Sequence, residues 1–320
     1  MYILFLYYLK YLSIILHKSH KKHKEIIICF LILTFKMIKI SKDIKICLCV
    51  IVKNENKYLR EFVEHYKKIG YNKIFLYDNN DKFGEKIEEV INDYIINQFI
   101  KVIYFKEISP NKNPQLESYK DCYAKNYKLY DWISFFDVDE YVELNKNYNT
   151  MKEFLKDKKL EHCQNIKLNW VYYYDNNLLY YENKPLKERL KIFSYDNPLN
   201  IHIKSTIKGN LSKYYWENAV NPHTSRMNYT SCSSSGKIIK FDSPFNNPPD
   251  YTNAKLKHYG YKSFQEYCLK IKRGRADFND YQRKQIMKNN LKKLYLQIQN
   301  NSEKVKIFHK IFNDSFYEFK

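Results

Sequence analysis

Ile44-Lys-Ile-Cys-Leu-Cys-Val-Ile-Val52 runs through Lys53-Asn54-Glu55 into Asn56-Lys-Tyr-Leu-Arg-Glu-Phe-Val-Glu-His-Tyr-Lys-Lys-Ile-Gly70. The first piece is near-continuously apolar, the mark of a strand buried on both faces in a parallel sheet. Asn54 interrupts it. Apolar residues then fall at Leu59, Phe62, Val63, Tyr66 and Ile69, a helical spacing, and Gly70 stands where a left-handed C-terminal cap is wanted. The segment is a βα unit. Lys73 to Tyr77 predicts a second strand ending at Asp78, Glu85 to Tyr94 a second helix, and Phe99 to Phe105 a third strand. Strands alternating with helices imply an α/β fold, a doubly wound, mostly parallel sheet flanked by helices.

Beyond a polar loop with Pro110 and Pro114, Leu116, Tyr119, Tyr123 and Tyr127 predict a helix over 115–130. Trp132 to Phe136 is a short apolar strand that stops at Asp137-Val138-Asp139-Glu140. Thr150 with Glu153 and Ser263 with Glu266 match capping boxes, so helices should begin at Met151 and Phe264. Gln164 to Tyr174 reads as a strand, 176–255 as loop-rich, and 277–299 as a charged helix. No repeat and no linker divides the chain. The expected division is an N-terminal segment 1–36, a catalytic domain 37–280 and a helical tail 281–320.

Segment 1–36 has two apolar runs, Tyr2 to Leu16 and Ile26 to Phe35, around a basic patch from His17 to Lys24. Neither reaches the ~18 uninterrupted apolar residues of a spanning helix. It reads either as an interfacial anchor for an anionic membrane face or as an over-extended start, with translation beginning at Met37. The excess of Lys and Arg gives a formal charge of +20, which favours polyanionic partners without choosing among nucleic acid, acidic lipid and nucleotide diphosphates. Seven scattered cysteines without a CxxC pair argue against a disulfide scaffold and a zinc cluster, and favour a reducing compartment. The expected location is cytoplasmic, peripheral at the inner membrane face.

Asp137 and Asp139, two apart in an extended segment, would project together from the strand's carboxyl end while Val138 turns into the core. Open α/β sheets bind ligands at that edge. Two hard oxygen ligands suit Mg²⁺ or Mn²⁺, which could bridge a diphosphate and neutralise it as a leaving group. The competing reading is a solvated acidic turn. Asn54 and Glu55 follow the first strand, where they could touch a nucleotide or simply start the helix. Asp78 stands where an acidic residue meets a ribose or base, or opens the turn Asp78-Asn79-Asn80-Asp81. His223 and His258 are candidate ligands, and Lys262, Lys270, Arg273 and Arg275 could hold a diphosphate. No Walker loop, GxGxxG, GxSxG elbow or HExxH is present, which excludes those enzyme classes.

Val52-Lys-Asn-Glu55 with Tyr58-Leu-Arg-Glu-Phe62, Gly70, Tyr77-Asp-Asn-Asn80, Phe135-Phe-Asp-Val-Asp-Glu-Tyr141, and His258-Tyr-Gly-Tyr-Lys-Ser263 with Lys270 and Arg273-Gly-Arg275 together resemble the GT-A glycosyltransferases of the family 2 and family 92 (DUF23-like) group. The resemblance covers roughly residues 44–280. It implies a UDP- or GDP-sugar donor contacted by Asn54, Glu55, Asp78, Asp137, Lys262 and Arg273. It implies a divalent metal on Asp137, Asp139 and His258, with His223 in reserve. It also implies transfer of a hexose to a glycan or lipid-linked acceptor with inversion, a carboxylate serving as general base. Asp175 and Glu217 are the candidates for that base. Phe62 stands where members of the group often carry Trp. No nucleic-acid partner is expected. The alternative is a nucleic-acid-binding protein or metal-dependent nuclease using the basic surface and the same carboxylates.

Overall fold

The structure is a computed structural model that describes residues 43–105, 113–219, 221–223, 229–239, 243–274 and 280–316. Segment 1–36 lies outside them, as does Arg275. From Lys45 onward the chain is one compact unit, and no described helix is long and apolar enough to cross a membrane.

β1 (Ile46–Val52) is buried at all seven residues, each large apolar side chain stabilising the fold by roughly 1.5–3 kcal/mol. It pairs in parallel with β2 (Lys73–Asp78) on one side and β4 (Trp132–Phe135) on the other, and β2 pairs in parallel with β3 (Ile100–Tyr104). Cys47, Cys49 and Ile51 join Leu116, Tyr119, Cys122 and Tyr123 of α3 (Pro114–Asn126) in one apolar cluster. α1 (Asn56–Lys68) buries Tyr58, Leu59, Phe62, Val63 and Tyr66. Its Tyr66 stacks on Phe136 and donates from its hydroxyl to the Glu140 carbonyl at 2.8 Å. Gly70 ends this helix at φ +94°, as its position predicts. α2 (Glu88–Ile96) starts later than the sequence pattern suggests.

The order β3-β2-β1-β4 has a functional consequence. The chain winds outward from β1 to β3, then crosses back to place β4 on the other side of β1. That reversal opens a crevice at the carboxyl ends of β1 and β4.

Beyond β4 the sheet stops being parallel. β7 (Ile203–Lys208) runs antiparallel to β4, and β6 (Asn165–Tyr172) antiparallel to β7. β9 (Ala254–His258) is parallel to β6, and β5 (Glu140–Leu144) antiparallel to β9. β5 and β7 fall where the sequence suggested an acidic turn and loop. α4 (Met151–Leu155), α5 (Leu186–Arg189), α6 (Phe264–Arg273), α7 (Asp280–Ile298) and α8 (Ser302–Phe316) complete the unit. Both expected starts hold. Ser263 and Glu266 form a reciprocal capping box, and the Thr150 hydroxyl caps α4 by accepting from the Glu153 amide.

The cysteine reading needs a correction. Cys163 and Cys232 form a disulfide across 69 residues, because parallel pairing of β6 with β8 (Ser231–Cys232) sets their Cα atoms 5.8 Å apart. Cys47, Cys49, Cys122 and Cys268 are free and buried.

Candidate active site

At the crevice between β1 and β4 lies a cavity of about 310 Å³. β1 and the loop after it supply Ile51, Lys53 and Glu55; the loop after β4 supplies Asp137, Val138 and Asp139. β6, β7 and β9 contribute Trp170, Lys204 and His258, and α6 contributes Lys270 and Arg273. His223 and Gln115 complete the polar lining.

Asp137-Val138-Asp139 is a turn, not the extended segment that the spacing suggested: the Glu140 amide donates to the Asp137 carbonyl at 3.0 Å. Val138 is nevertheless buried, as expected, while also lining the cavity. The two carboxylates still share the cavity, but each has its own cation. Asp137 accepts from Gln115 Nε2 at 2.6 Å and from Lys204 Nζ at 2.8 Å. Lys204 is buried and also lies 3.6 Å from Glu140, whose other carboxylate oxygen has no hydrogen-bond partner. Burial pulls the Lys204 pKa down, yet Asp137 and Glu140 outweigh it and hold the pKa well above the usual value.

Asp139 is 5% exposed. Burial pushes its pKa up, but Lys270, Lys262 and His258 outweigh this and hold it well below the carboxylate range, so it is ionised. Lys270 Nζ donates to Asp139 Oδ2 at 2.8 Å, and Lys262 Nζ stands 3.8 Å from the same oxygen. Lys262 takes a left-handed backbone, φ +61°, that aims its ammonium inward over the Tyr58 ring; burial lowers its pKa. Glu55 pairs with Arg273, which also donates to the Lys53 carbonyl at 2.7 Å. That contact ties α6 to the loop after β1.

Pairing of β5 with β9 sets Glu140 opposite His258 and brings His258 Nε2 to 3.6 Å from Asp139 Oδ1. Its ring packs against Trp170 at 4.0 Å, burial lowers its pKa, and its Nδ1 is buried without a partner. A neutral imidazole beside an ionised carboxylate is a donor pair for Mn²⁺ or a similar ion. The residues therefore fit a divalent cation. Asp137, Asp139 and His258 do not converge tightly, however. Among the described residues, the group of three or more possible ligands whose donor atoms lie within 4.8 Å of one another is elsewhere, at His162, Cys163 and Cys232.

The remaining candidates divide. His223 lines the cavity and is fixed through Nδ1 to the Ile203 carbonyl at 2.7 Å; burial first, then the charge of Lys204, brings its pKa down to about 3. Asn54, at φ +52°, lines an adjoining cavity of about 620 Å³ with Glu55, Lys262 and Arg273. Asp78 caps its own turn by accepting from the Asn80 amide at 2.8 Å, and lines a third hollow. Asp175 and Glu217 are not brought to the main cavity. Asp175 closes an Asx turn onto the Asn177 amide, and Glu217 is exposed in the turn after Trp216. Sequence reasoning missed Lys204, Gln115 and Trp170. Lys204 lies inside the stretch read as loop, and nothing local marks a lysine there as buried.

The chain belongs to glycosyltransferase family 92, whose profile matches residues 42–300. A family 92 protein of Oryza sativa subsp. japonica is 28% identical over 110 residues, 34% of this chain and 18% of the relative. One of Ricinus communis is 29% identical over 109 residues, 34% of this chain and 19% of the relative. The matches thus span about a fifth of these curated relatives. Among solved structures, S. aureus TarS in complex with UDP is similar at a TM-score of 0.37, with 11% identity over 80% of this chain and 73% of that one. The mannosyltransferase PcManGT from Pyrobaculum calidifontis, in complex with GDP-Man and Mn²⁺, gives a TM-score of 0.30 and 10% identity over 40% of this chain and 36% of that one. Likenesses this distant carry no argument about activity.

Proposed function

We propose that this protein transfers a hexose from a UDP- or GDP-sugar to a glycan or lipid-linked acceptor, with inversion, using Mn²⁺ or Mg²⁺ held by Asp137, Asp139 and His258. The observation that carries the reading is the shared cavity. Two carboxylates, a neutral imidazole and the cations Lys53, Lys270 and Arg273 meet at the switch point of an α/β sheet in a chain of family 92.

Lys270, Lys262 and Arg273 suit the diphosphate. Asn54, Glu55 and Asp78 suit the nucleoside, in the adjoining hollows. When bound, the cation would neutralise the departing diphosphate. Asp175 and Glu217, the candidates for the base, are not among the residues that line the cavity. The basic balance supports peripheral contact with anionic lipid at a cytoplasmic face, whereas the Cys163–Cys232 cross-link weighs for an oxidising compartment.

The test is donor hydrolysis by the full chain across UDP- and GDP-sugars, with and without Mn²⁺. The expected result is Mn²⁺-dependent turnover of one donor. If no sugar nucleotide binds and nucleic acid binds in a salt-sensitive manner, the proposal fails and the nucleic-acid reading replaces it.

Gly260→Ala gives a finer check. A Cβ there would stand 2.9 Å from His258 Cε1 and 3.0 Å from its Nε2, so the ring must shift. Mn²⁺ affinity should fall by about tenfold, the scale of losing a ligand-orienting contact, with the far-ultraviolet circular dichroism unchanged. Unaltered affinity would remove His258 from the metal site.

A further inference from the structure

His162 and Cys163 lie just before β6 and Cys232 in β8, none of them lining the carboxylate cavity. His162 Nε2 is 3.7 Å from Cys163 Sγ, 3.6 Å from Cys232 Sγ and 3.1 Å from the Gly236 carbonyl oxygen. A disulfide offers only weak acceptors and has no need of an imidazole set evenly against both sulfurs. A metal does. On a tetrahedral zinc, with Zn–N about 2.0 Å and Zn–S about 2.3 Å, a nitrogen and a thiolate ligand stand ~3.5 Å apart. The imidazole is thus already at ligand spacing from both sulfurs.

The surroundings hold that spacing without the cross-link. The Ser233–Lys237 turn is closed by the Ser233 amide donating to the Lys237 carbonyl at 2.9 Å, and Asp250 accepts from the Ser235 amide at 3.0 Å. Gly236 sits at φ +86°, and a Cβ there would meet the Lys159 carbonyl oxygen at 2.4 Å, so this turn is pressed against the short 3₁₀ turn Lys158–Leu160 that leads into His162. Pairing of Asn165 with Ser231 and Ile166 with Cys232 keeps the two cysteines adjacent.

We propose that, once the cross-link is opened, His162, Cys163 and Cys232 bind one thiophilic divalent cation of the zinc class, with the Gly236 carbonyl or a water as fourth ligand. A dithiol reductant supplies two electrons and two protons. The S–S bond breaks to give two thiols, and the reductant becomes its own disulfide. Both thiols lose their protons on binding the metal, and His162 binds through neutral Nε2, giving up its contact with Gly236. Disulfide and metal are therefore mutually exclusive states of one site: the first belongs to an oxidising compartment, the second to a reducing one.

The experiment compares the full chain, oxidised or reduced with excess dithiothreitol and desalted without oxygen, each given Zn²⁺ or Co²⁺ and gel-filtered for metal counting. Among the described residues the four buried free cysteines are thiols in both forms, and with Cys29 replaced by Ser in every chain compared, any zinc they or the carboxylate cavity take up cancels. The reduced chain should carry one more zinc than the oxidised chain and, with Co²⁺, show a thiolate-to-cobalt charge-transfer band. Cys163→Ser should lose the extra ion. His162→Ala, an exposed position that leaves the disulfide intact, should weaken it by at least tenfold in the reduced chain. Equal zinc in both forms, or reduced His162→Ala binding as tightly as the native chain, overturns the proposal. So does a reduced chain that unfolds and is not restored by zinc.

Discussion

Asp139→Asn is expected to lower sugar transfer by about a thousandfold or more, roughly 4 kcal/mol of transition-state stabilisation. The substitution keeps the shape and removes the charge. Among the described residues, that charge is the one anion paired with Lys262, Lys270 and His258 together. Without it a divalent ion bound as proposed would lose its partner beside His258, and Lys270 would keep its contact with the Gly260 carbonyl at 3.1 Å. Lys262 retains a second carboxylate, that of Glu55, 4.0 Å away. The fold should therefore survive with a reduced melting temperature. Steady-state transfer and thermal melting, measured on the same preparation, separate the two effects. A variant that melts like the native protein and retains a tenth of its activity would rule out Asp139 as a metal or diphosphate-site residue.

The second large effect is on stability. Glu266 is buried and accepts from Arg189 Nη1 at 2.6 Å, Arg189 Nη2 at 2.7 Å, the Tyr58 hydroxyl at 2.5 Å and the Ser263 amide at 3.0 Å. One carboxylate thus joins α1, α5 and α6. Arg189→Met leaves it charged, buried and short of its main partner, which should cost about 3–5 kcal/mol and lower the melting temperature by at least about 6 °C. Adding Glu266→Leu should restore part of the loss, because removing both charges is far less damaging than removing one.

The same group fixes a pH dependence. Burial raises the Glu266 pKa, but Arg189, Ser263 and Tyr58 outweigh it and bring it down to about 2. A depressed folded-state pKa contributes stability that is fully present above the unfolded value, about 4.3, and is lost as pH falls from there towards 2. Denaturant melts between these pH values should show the native chain losing stability more steeply than the Arg189→Met, Glu266→Leu variant. Parallel curves would show that the carboxylate is not so held.

Much of the parallel half could be read from sequence, because its strands are unbroken apolar runs and its helices are amphipathic. The β1-to-α1 unit, the Gly70 stop, the Ser263 capping box and the acidic pair after β4 all follow from local rules. The antiparallel half could not be read. β5 is five residues beginning with a buried glutamate, and β7 carries Lys204 and Thr206, buried through contacts with residues about seventy positions earlier. Long-range partners leave no local period. For the same reason, Asp175 and Glu217 are indistinguishable from true cavity carboxylates until the chain is folded. The cross-link was hidden too, since 69 residues separate the two cysteines.

Lys270, held 2.8 Å from Asp139, makes the cavity its own competitor. It is a tethered counter-ion, present at a high effective concentration, and a free cation must displace it before taking its seat. Whatever draws the ammonium aside lowers that barrier, and the diphosphate of the proposed donor would be such an acceptor for Lys270. By reciprocity, a metal on Asp139 would free Lys270 for that diphosphate. On the proposed function, the site would then favour metal and donor together over either alone.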